Sequence, residues 1–285
     1  MAGQGEIRTM IPLDQSKYDK VVKPLSEVTI NNLFARSVVE KHVPGIIYVD
    51  HVEEPKTFYV IHPYGMSLLF GEIEGDDFNS KLLDYALNTY NVRNKVEWLQ
   101  AVPESWHKKL SALLGSHLFK SNDRSAITKN GKIEEDIRVN FKFNIQKYLY
   151  VKRKNIHGNL KILRTDKEMY EYIQGSVIPK YFWRDADHFY NRGLGYTLIY
   201  DNKLVSTAFS SFIHDHQLEI GIETSENFRG KKFAMVVCSS LIDYCLENNY
   251  EPIWACRAEN IGSYKLAVTL GFEPTISIPY YKLNV

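Results

Sequence analysis

Apolar residues recur at near-helical spacing over 26–42, where Val28, Leu33, Phe34, Val38 and Val39 precede a Pro44-Gly45 stop. Three β-rich runs follow at 45–52, 56–62 and 66–72, divided by Pro and Gly. The pattern then predicts a helix over 80–90, a strand over 96–102, and a helix that opens at Pro103-Glu104 and stops near Gly115. A polar segment at 121–135 contains Lys129-Asn130-Gly131-Lys132, read as a two-residue hairpin turn.

A strand-like run at 137–143 and a mixed stretch at 145–151 lead to Lys152-Arg153-Lys154, read as a solvated linker face with phosphate binding as the alternative. A domain boundary is placed here, dividing the chain into 1–145 and 146–285. Beyond it come a strand at 160–163, a helix capped by Thr165 or Asp166, and a helical stretch over 181–191. Strands at 195–200, 204–213 and 217–224 follow, joined by Asp201-Asn202 and by the corner His214-Asp215-His216. A helix over 233–249, a strand over 252–257, a helix over 260–270 and a strand over 275–283 complete the pattern. Both halves read as an antiparallel meander followed by helix, strand and helix. The fold class expected is therefore α+β (mixed α/β), two copies of one plan, each a mostly antiparallel mixed sheet flanked by helices.

Composition narrows the function. The 285 residues carry 35 Lys+Arg against 34 Asp+Glu, a net charge of +1, which argues against a protein that coats nucleic acid or an anionic membrane. No run approaches the ~20 apolar residues a membrane span requires, and Met1-Ala2-Gly3-Gln4-Gly5-Glu6 lacks a secretion-signal pattern, so a cytoplasmic location is expected. The odd cysteine count (Cys238, Cys245, Cys256) fits a reducing compartment. On a helix Cys238 and Cys245 lie about 10 Å apart, too far for a disulfide. No Cys/His spacing suggests a metal, and none is expected.

The candidate chemistry begins at Leu218-Glu219-Ile220-Gly221-Ile222-Glu223-Thr224, a strand, and continues through Arg229-Gly230-Lys231-Lys232-Phe233-Ala234 into an apolar-faced helix. Such a junction gathers unpaired amides and a helix dipole and suits a phosphate. A second segment, 253–260, runs through Asn260 and Ser263 to Gly271-Phe272. Together these resemble the GNAT family of acetyl-CoA-dependent N-acetyltransferases. Residues 229–234 resemble its pyrophosphate loop R/Q-x-x-G-x-G/A, and Asn260-x-x-Ser263 with Gly271-Phe272 resembles its later N-x-x-S/A…G-F motif. Ile222-Glu223-Thr224, Tyr244-Cys245-Leu246 and Leu266-Ala267 further resemble the branch of the zwittermicin A and paenilamicin self-resistance acetyltransferases, some of which are tandem GNAT-like proteins.

The resemblance implies acetyl transfer from acetyl-CoA to a primary amine of a small cationic molecule such as an antibiotic, with the cofactor held by Ile222, Thr224, Arg229, Gly230, Lys231, Lys232, Phe233, Ala234, Asn260 and Ser263. A plain helix N-cap is the competing role for Asn260. The first half, with Pro63-Tyr64-Gly65 and no such loop, reads as a degenerate copy kept for folding, for lining the substrate cleft or for binding a second CoA. Two departures stand out: the second loop glycine is Lys232, and the position that often carries a tyrosine acid is Ala267.

Amine acetylation requires a neutral amine, an oxyanion donor and a proton for the departing thiolate. Glu219 matches the catalytic glutamate of the histone-acetyltransferase branch. Glu223 shares its strand face by the period of two, with His214 and His216 behind them as bases. A backbone N–H near 222–224, where the resemblance implies a strand splayed open so that the cofactor's pantetheine adds like an extra strand, is the expected oxyanion donor, and Tyr281 or Tyr280 could replace the missing acid, with Tyr264 a poorer choice. Phe182 and Trp183 read as packing, while Asp185 and Asp187 are candidates to attract a polyamine. A regulator that binds CoA without turnover, and an aminoacyl or other acyl transferase on the same scaffold, are the alternatives.

Overall fold

The computed structural model describes residues 10–121, 133–154 and 160–285. The turn expected at 129–132 lies outside them, as do the side chains of Arg153 and Lys154. The fold is a mixed α/β one, its sheet largely antiparallel and flanked by helices. Two compact units divide the chain, Met1–Arg138 with Ile278–Val285, and Val139–Ser277. The division expected at 145/146 differs in two respects: the change falls at Arg138, and the last residues belong with the first unit.

The first unit contains β1 (Ile11–Pro12), α1 (Asp19–Ser26), α2 (Leu33–Val39), β2 (Ile46–Val49), β3 (Thr57–Ile61) and β4 (Met66–Gly71). It continues with α3 (Asp76–Ala86), β5 (Glu97–Val102), α4 (Ser105–Leu114), β6 (Leu118–Lys120) and the start of β7 (Ile133–Phe143). Of the helix expected over 26–42 only α2 is helical; 27–32 is a connection, and α1, which the pattern did not predict, ends where that helix was expected to begin. The carboxamide of Asn32 donates to the carbonyl oxygens of Val28 (3.1 Å) and Leu25 (3.4 Å), so it closes α1 instead of continuing it. Strands β1 to β4 pair antiparallel in order, and β5 joins β4 in parallel.

Tyr59, Leu69, Leu99, Trp106 and Tyr281 are buried together on one face of this sheet. The segment Tyr281 to Leu283 pairs with β5, and Arg93 pins its end by donating to the carbonyl oxygens of Leu283 (2.9 Å) and Asn284 (3.0 Å). That bond set explains why the C-terminal residues belong here. A buried carboxylate, Glu97, is satisfied by the hydroxyls of Tyr59 and Tyr85.

The second unit holds α5 (Ile145–Lys154), β8 (Lys161–Arg164), α6 (Lys167–Tyr172), α7 (Ala186–Arg192), β9 (Gly195–Tyr200), β10 (Lys203–His214) and β11 (Gln217–Thr224). After these come α8 (Phe233–Glu247), β12 (Glu251–Arg257), α9 (Ile261–Thr269) and β13 (Phe272–Leu283), whose end belongs to the first unit. Strands β8, β9, β10 and β11 form an antiparallel meander, and β12 joins β11 in parallel. Asp201 and Asn202 both take positive φ, 48° and 58°, the backbone a two-residue hairpin requires. The mixed stretch expected at 145–151 is helical. Its Tyr148 hydroxyl donates to Asp243 (2.7 Å) on α8. The core on the α8 face includes Leu218, Ile220, Val237, Leu241, Trp254 and all three cysteines. Burial pushes the Cys245 thiol up to about 12, so it stays protonated and serves as packing.

Candidate active site

The site is built on β11. Its even positions, Leu218 and Ile220, face the α8 core, so its odd positions, Glu219, Gly221 and Glu223, face the other side of the sheet. Gly221 is required there, since a Cβ would come within 2.5 Å of the Phe209 ring. A bulge lies in β10 between Ser210 and Phe212, opposite Ile220 and Glu219. Its extra polar groups are all used: Trp183 Nε1 donates to Ser210 O (2.7 Å), and Ser211 Oγ donates to Glu219 O (3.0 Å). Because the extra residue belongs to β10, the alternation along β11 is intact, and Glu219 and Glu223 do share a face.

A bulge sharpens strand twist, and β11 parts from β12 at this point. The parallel ladder pairs Gln217, Leu218 and Glu219 with Glu251, Pro252 and Ile253 and then ends, although β11 runs on to Thr224 and β12 to Arg257. The amide direction along the open edge follows from the other neighbour. Ser225 N donates to Val205 O (2.9 Å), so by alternation Glu223 and Gly221 exchange backbone bonds with β10, while Thr224 and Ile222 point the opposite way. Thr224 N donates to Glu223 Oε1 (3.2 Å), and Thr224 O accepts from Arg229 Nε (3.2 Å). Ile222 therefore presents its N–H on the β12 side, past the last rung of the ladder.

The loop after β11 turns through a short 3-10 segment, Glu226–Phe228, into α8. Gly230 has φ 79° and open space where a Cβ would stand. Lys232, in place of the second glycine, nevertheless adopts the left-handed conformation at φ 63°, which costs about 1–2 kcal/mol for a residue with a Cβ. It is the N-cap of α8 and gives no side-chain cap, and the first intrahelical bond runs from Val236 N to Lys232 O. The N–H groups of Phe233, Ala234 and Met235 thus lack helical acceptors, and Arg229, Lys231 and Lys232 add positive charge around them. Lys231 Nζ rests over the rings of Phe228 and Tyr200, 5.1 and 5.6 Å from their centroids. The open turn, the uncapped amides and the basic side chains suit a pyrophosphate.

Several sequence-predicted residues have other work. The Glu223 carboxylate is occupied by five donors: Oε2 accepts from Ser176 N (2.8 Å), Ser176 Oγ (3.2 Å) and Val177 N (3.0 Å), and Oε1 accepts from Thr224 N and Arg229 Nη2 (3.4 Å). It anchors the segment after α6 and has little lone-pair capacity left for a base. Asn260 is the N-cap of α9, its Oδ1 accepting from Ser263 N (3.1 Å), and Ser263 Oγ accepts from Trp254 Nε1 (3.2 Å). His214 and His216 lie at the opposite end of β11, roughly 20 Å from Ile222 along an extended strand, so they do not reach it.

Tyr281 is 1% exposed in the core of the first unit, with its hydroxyl 3.2 Å from His107 Nδ1 and its phenol pushed up by burial. A hydroxyl sealed in that core cannot touch a substrate, which removes it as an acid. Tyr280, also buried, stacks on Trp98 in the same unit, and Tyr264 packs edge-on against Phe141. Asp185 caps α7 through His188 N (2.7 Å) and Asp187 pairs with Lys167, so neither is a spare anion for a polyamine. Glu219 is 5% exposed and stands at the last rung of the ladder.

The strand expected to splay open near 222–224 does part from its neighbour there, whereas the Gly175-Ser176-Val177 segment on Glu223 escaped the sequence reading. Gly175 carried the one available signal. It has φ 147°, and a Cβ would come within 2.4 Å of Glu223 Cγ and Oε2.

The family model described as GNAT acetyltransferase matches residues 23–281. An uncharacterized N-acetyltransferase, YdfB, of Bacillus subtilis is 24% identical over 250 residues, 87% of this chain and 89% of that protein. Among solved structures, a GCN5-related N-acetyltransferase-like protein from Streptococcus suis superposes with TM-score 0.67 at 20% identity, covering 94% of this chain and 98% of its own. A tandem GNAT protein from the clavulanic acid biosynthesis pathway does so with TM-score 0.59 at 9% identity, covering 96% and 97%. At those identities the structural likeness speaks for the fold.

Proposed function

The chain belongs to the GNAT acetyltransferase family, and on that premise we propose that it moves an acetyl group from acetyl-CoA to a primary amine of a small cationic molecule. The observation that carries this reading is the end of the β11–β12 ladder at Glu219 and Ile253, which leaves the Ile222 N–H on an open edge beside the basic loop. In this reading residues 229–234 hold the cofactor's phosphates through the first-turn amides of α8, with Arg229 and Lys232 adding charge. Only the second unit carries that loop, and the first is a degenerate copy of the same plan.

Bound acetyl-CoA supplies a thioester, whose carbonyl carbon an amine can attack. Ile222 N–H donates to the oxygen on which negative charge develops, a role worth about 3–4 kcal/mol for one such donor. Glu219 takes the proton that the substrate ammonium must lose before it attacks. Formation of the C–N bond would be balanced by loss of the thioester C–S bond, with the second proton of the amine nitrogen passing to the leaving thiolate; no tyrosine serves as acid at the usual position, which the buried Ala267 occupies.

The acceptor is read as an aminated antibiotic, on the motifs that resemble those of the self-resistance branch. No helix among the described residues is long and apolar enough to cross a membrane; a cytoplasmic reaction is part of the proposal, on the sparse, buried cysteines outside any disulfide. Thiol release from acetyl-CoA across a panel of polyamines and aminated antibiotics tests the proposal. Turnover lost in Glu219→Gln supports it, and no CoA binding at all sinks it. A second reading, a CoA-binding regulator without turnover, draws on the missing tyrosine acid, and binding without thiol release across the panel would favour it.

A further inference from the structure

The Glu223 carboxylate bridges the segment after α6 and the loop after β11. Its Oε2 holds Ser176 and Val177 by three bonds of 2.8, 3.0 and 3.2 Å, while its Oε1 is turned with the Thr224 N–H away from β10 and meets Arg229 Nη2 at 3.4 Å. The Glu223 side chain is 10% exposed and that of Arg229 is 62% exposed. An ion pair with so exposed a member adds little to stability. Its consequence lies in where it holds the guanidinium.

Arg229 is the first residue of the basic loop, and it is held along one edge. Nε donates to Thr224 O (3.2 Å) and Nη2 to Glu223 Oε1, which leaves three of the five guanidinium N–H groups without a bond among the described residues. The planar fork is thereby set against the end of β11, with its unused edge on an exposed side chain. Such a fork matches a phosphate bidentately. A long side chain loses rotamer freedom when it orders on a ligand, and one already ordered loses less. A carboxylate near a phosphate would otherwise repel it, but the donors gathered on Glu223 answer its charge.

We propose that Glu223 is a positioning residue for the cofactor, which orients Arg229 so that the free edge of its guanidinium takes the CoA pyrophosphate. The inference rests on the reading that residues 229–234 hold CoA. Glu223 acts through Arg229 and touches no cofactor atom itself. Glu223→Gln separates its two duties. An amide offers one acceptor oxygen, and the bonds from Ser176 and Val177, which include the two shortest on the carboxylate, keep it. The NH2 group then faces Thr224 N–H and Arg229, donor against donor. The segment stays in place and Arg229 is released.

Calorimetric titration of the full chain with CoA tests this. Glu223→Gln is expected to weaken CoA binding by about two- to tenfold, the cost of ordering one long side chain, although loss of a nearby negative charge would by itself strengthen it. Arg229→Gln is expected to weaken it by at least about tenfold, the loss of a charge-assisted bond. Adding Glu223→Gln to Arg229→Gln is expected to weaken it no further. In thiol release, Glu223→Gln is expected to raise KM for acetyl-CoA and leave kcat unchanged. CoA affinity in Glu223→Gln equal to or above that of the wild type overturns the proposal. So does the same weakening in both backgrounds, the mark of a merely structural role, or a lowered kcat at unchanged KM. Arg229→Lys keeps the test decisive if Glu223→Gln fails to fold. Its ammonium keeps the charge without the fork, so it is expected to lose most of what Arg229→Gln loses, and wild-type CoA affinity there overturns the proposal. A wild-type chain that binds no CoA sinks the acetyl-transfer reading itself, which separates the two failures.

Discussion

Glu219 on β11 stands opposite Ile253 on β12, and this pair is the last rung of their parallel ladder. In the first unit the corresponding parallel pair, β4 and β5, stays in register through five rungs, from Met66 opposite Trp98 to Phe70 opposite Val102. The same order of elements thus gives an open edge in one unit and a closed one in the other. The β10 bulge beside Glu219 supplies the physical difference, since β4 pairs with β3 without a register shift.

If the Ile222 N–H is the oxyanion donor, Ile222→Pro removes it without breaking a bond to β10, because that amide points away from β10. Gly221 precedes it and has no Cβ to clash with the proline ring. We expect kcat to fall by about 10²–10³, the usual loss for one such donor, with a stability loss of about 1–3 kcal/mol because the Ile222 side chain also packs against the α8 core. Steady-state kinetics and thermal unfolding check this, and an unchanged kcat assigns the donor elsewhere.

Gly175→Ala should destabilise the second unit by about 1–3 kcal/mol, the ordinary cost of overpacking. Its Cβ would meet Glu223 Cγ and Oε2 within 2.4 Å, at a φ of 147° that side chains avoid. The hydrogen bonds from Ser176 and Val177 to Glu223 should break with it, so their amides should exchange faster with solvent. Wild-type exchange rates at those two amides would show that the segment does not hang on Glu223.

The hydrophobic pattern located nearly every strand because each alternates or runs apolar between turn residues, as at Asp201-Asn202, where both left-handed positions were legible. It missed α1 and began the next helix at 26 instead of 33, because Val28 reads as part of an apolar stripe although it lies in the connection where the Asn32 carboxamide takes the carbonyls of Leu25 and Val28. The return of Tyr281 to the first unit was invisible, since nothing in a run of β-forming residues says which sheet it joins. The basic loop was legible by its residue types. The splayed edge near 222–224 was legible only through the family resemblance, and its exact last rung, Glu219 opposite Ile253, was not, because it depends on twist set by a neighbouring strand. Glu219 was set ahead of Glu223 only by its resemblance to a family glutamate, and the donors gathered on Glu223, the Ser176 and Val177 amides foremost, give that order a physical reason.

His62 gives the stability of the first unit a pH dependence. It is fully buried, with Nδ1 accepting from Tyr64 N (3.0 Å), and burial, with Lys95 nearby, pulls its pKa down to about 3. The unfolded chain binds a proton at His62 below about pH 6.5, whereas the folded chain does not until about pH 3. This residue's contribution is therefore intact above pH 6.5 and is lost as pH falls towards 3, at about 1.4 kcal/mol per pH unit for one proton. Denaturant unfolding from pH 7.5 to 4.5 should show His62→Asn with a slope shallower by one proton. Parallel slopes would mean that His62 is protonated in the fold.

Cofactor stoichiometry is the sharpest consequence of the two edges. In the second unit the open ladder leads to Arg229, Lys231 and Lys232 at the uncapped start of α8. In the first unit the closed ladder leads to Glu72, Glu74, Asp76 and Asp77, the last two within the first turn of α3. Carboxylates there already answer the helix dipole and repel a phosphate at the place where the other unit would attract one. A pantetheine chain also has no free strand edge to join between β4 and β5. The chain should therefore bind one CoA, at the second unit, with an affinity that falls as salt rises because the phosphates meet exposed basic side chains. Reversing charge with Arg229→Glu and Lys232→Glu together should abolish that binding while leaving the fold intact, since both side chains are exposed. Two equivalents of CoA per chain, or full binding after the charge reversal, would place a cofactor in the first unit and remove the physical basis for calling it the silent copy.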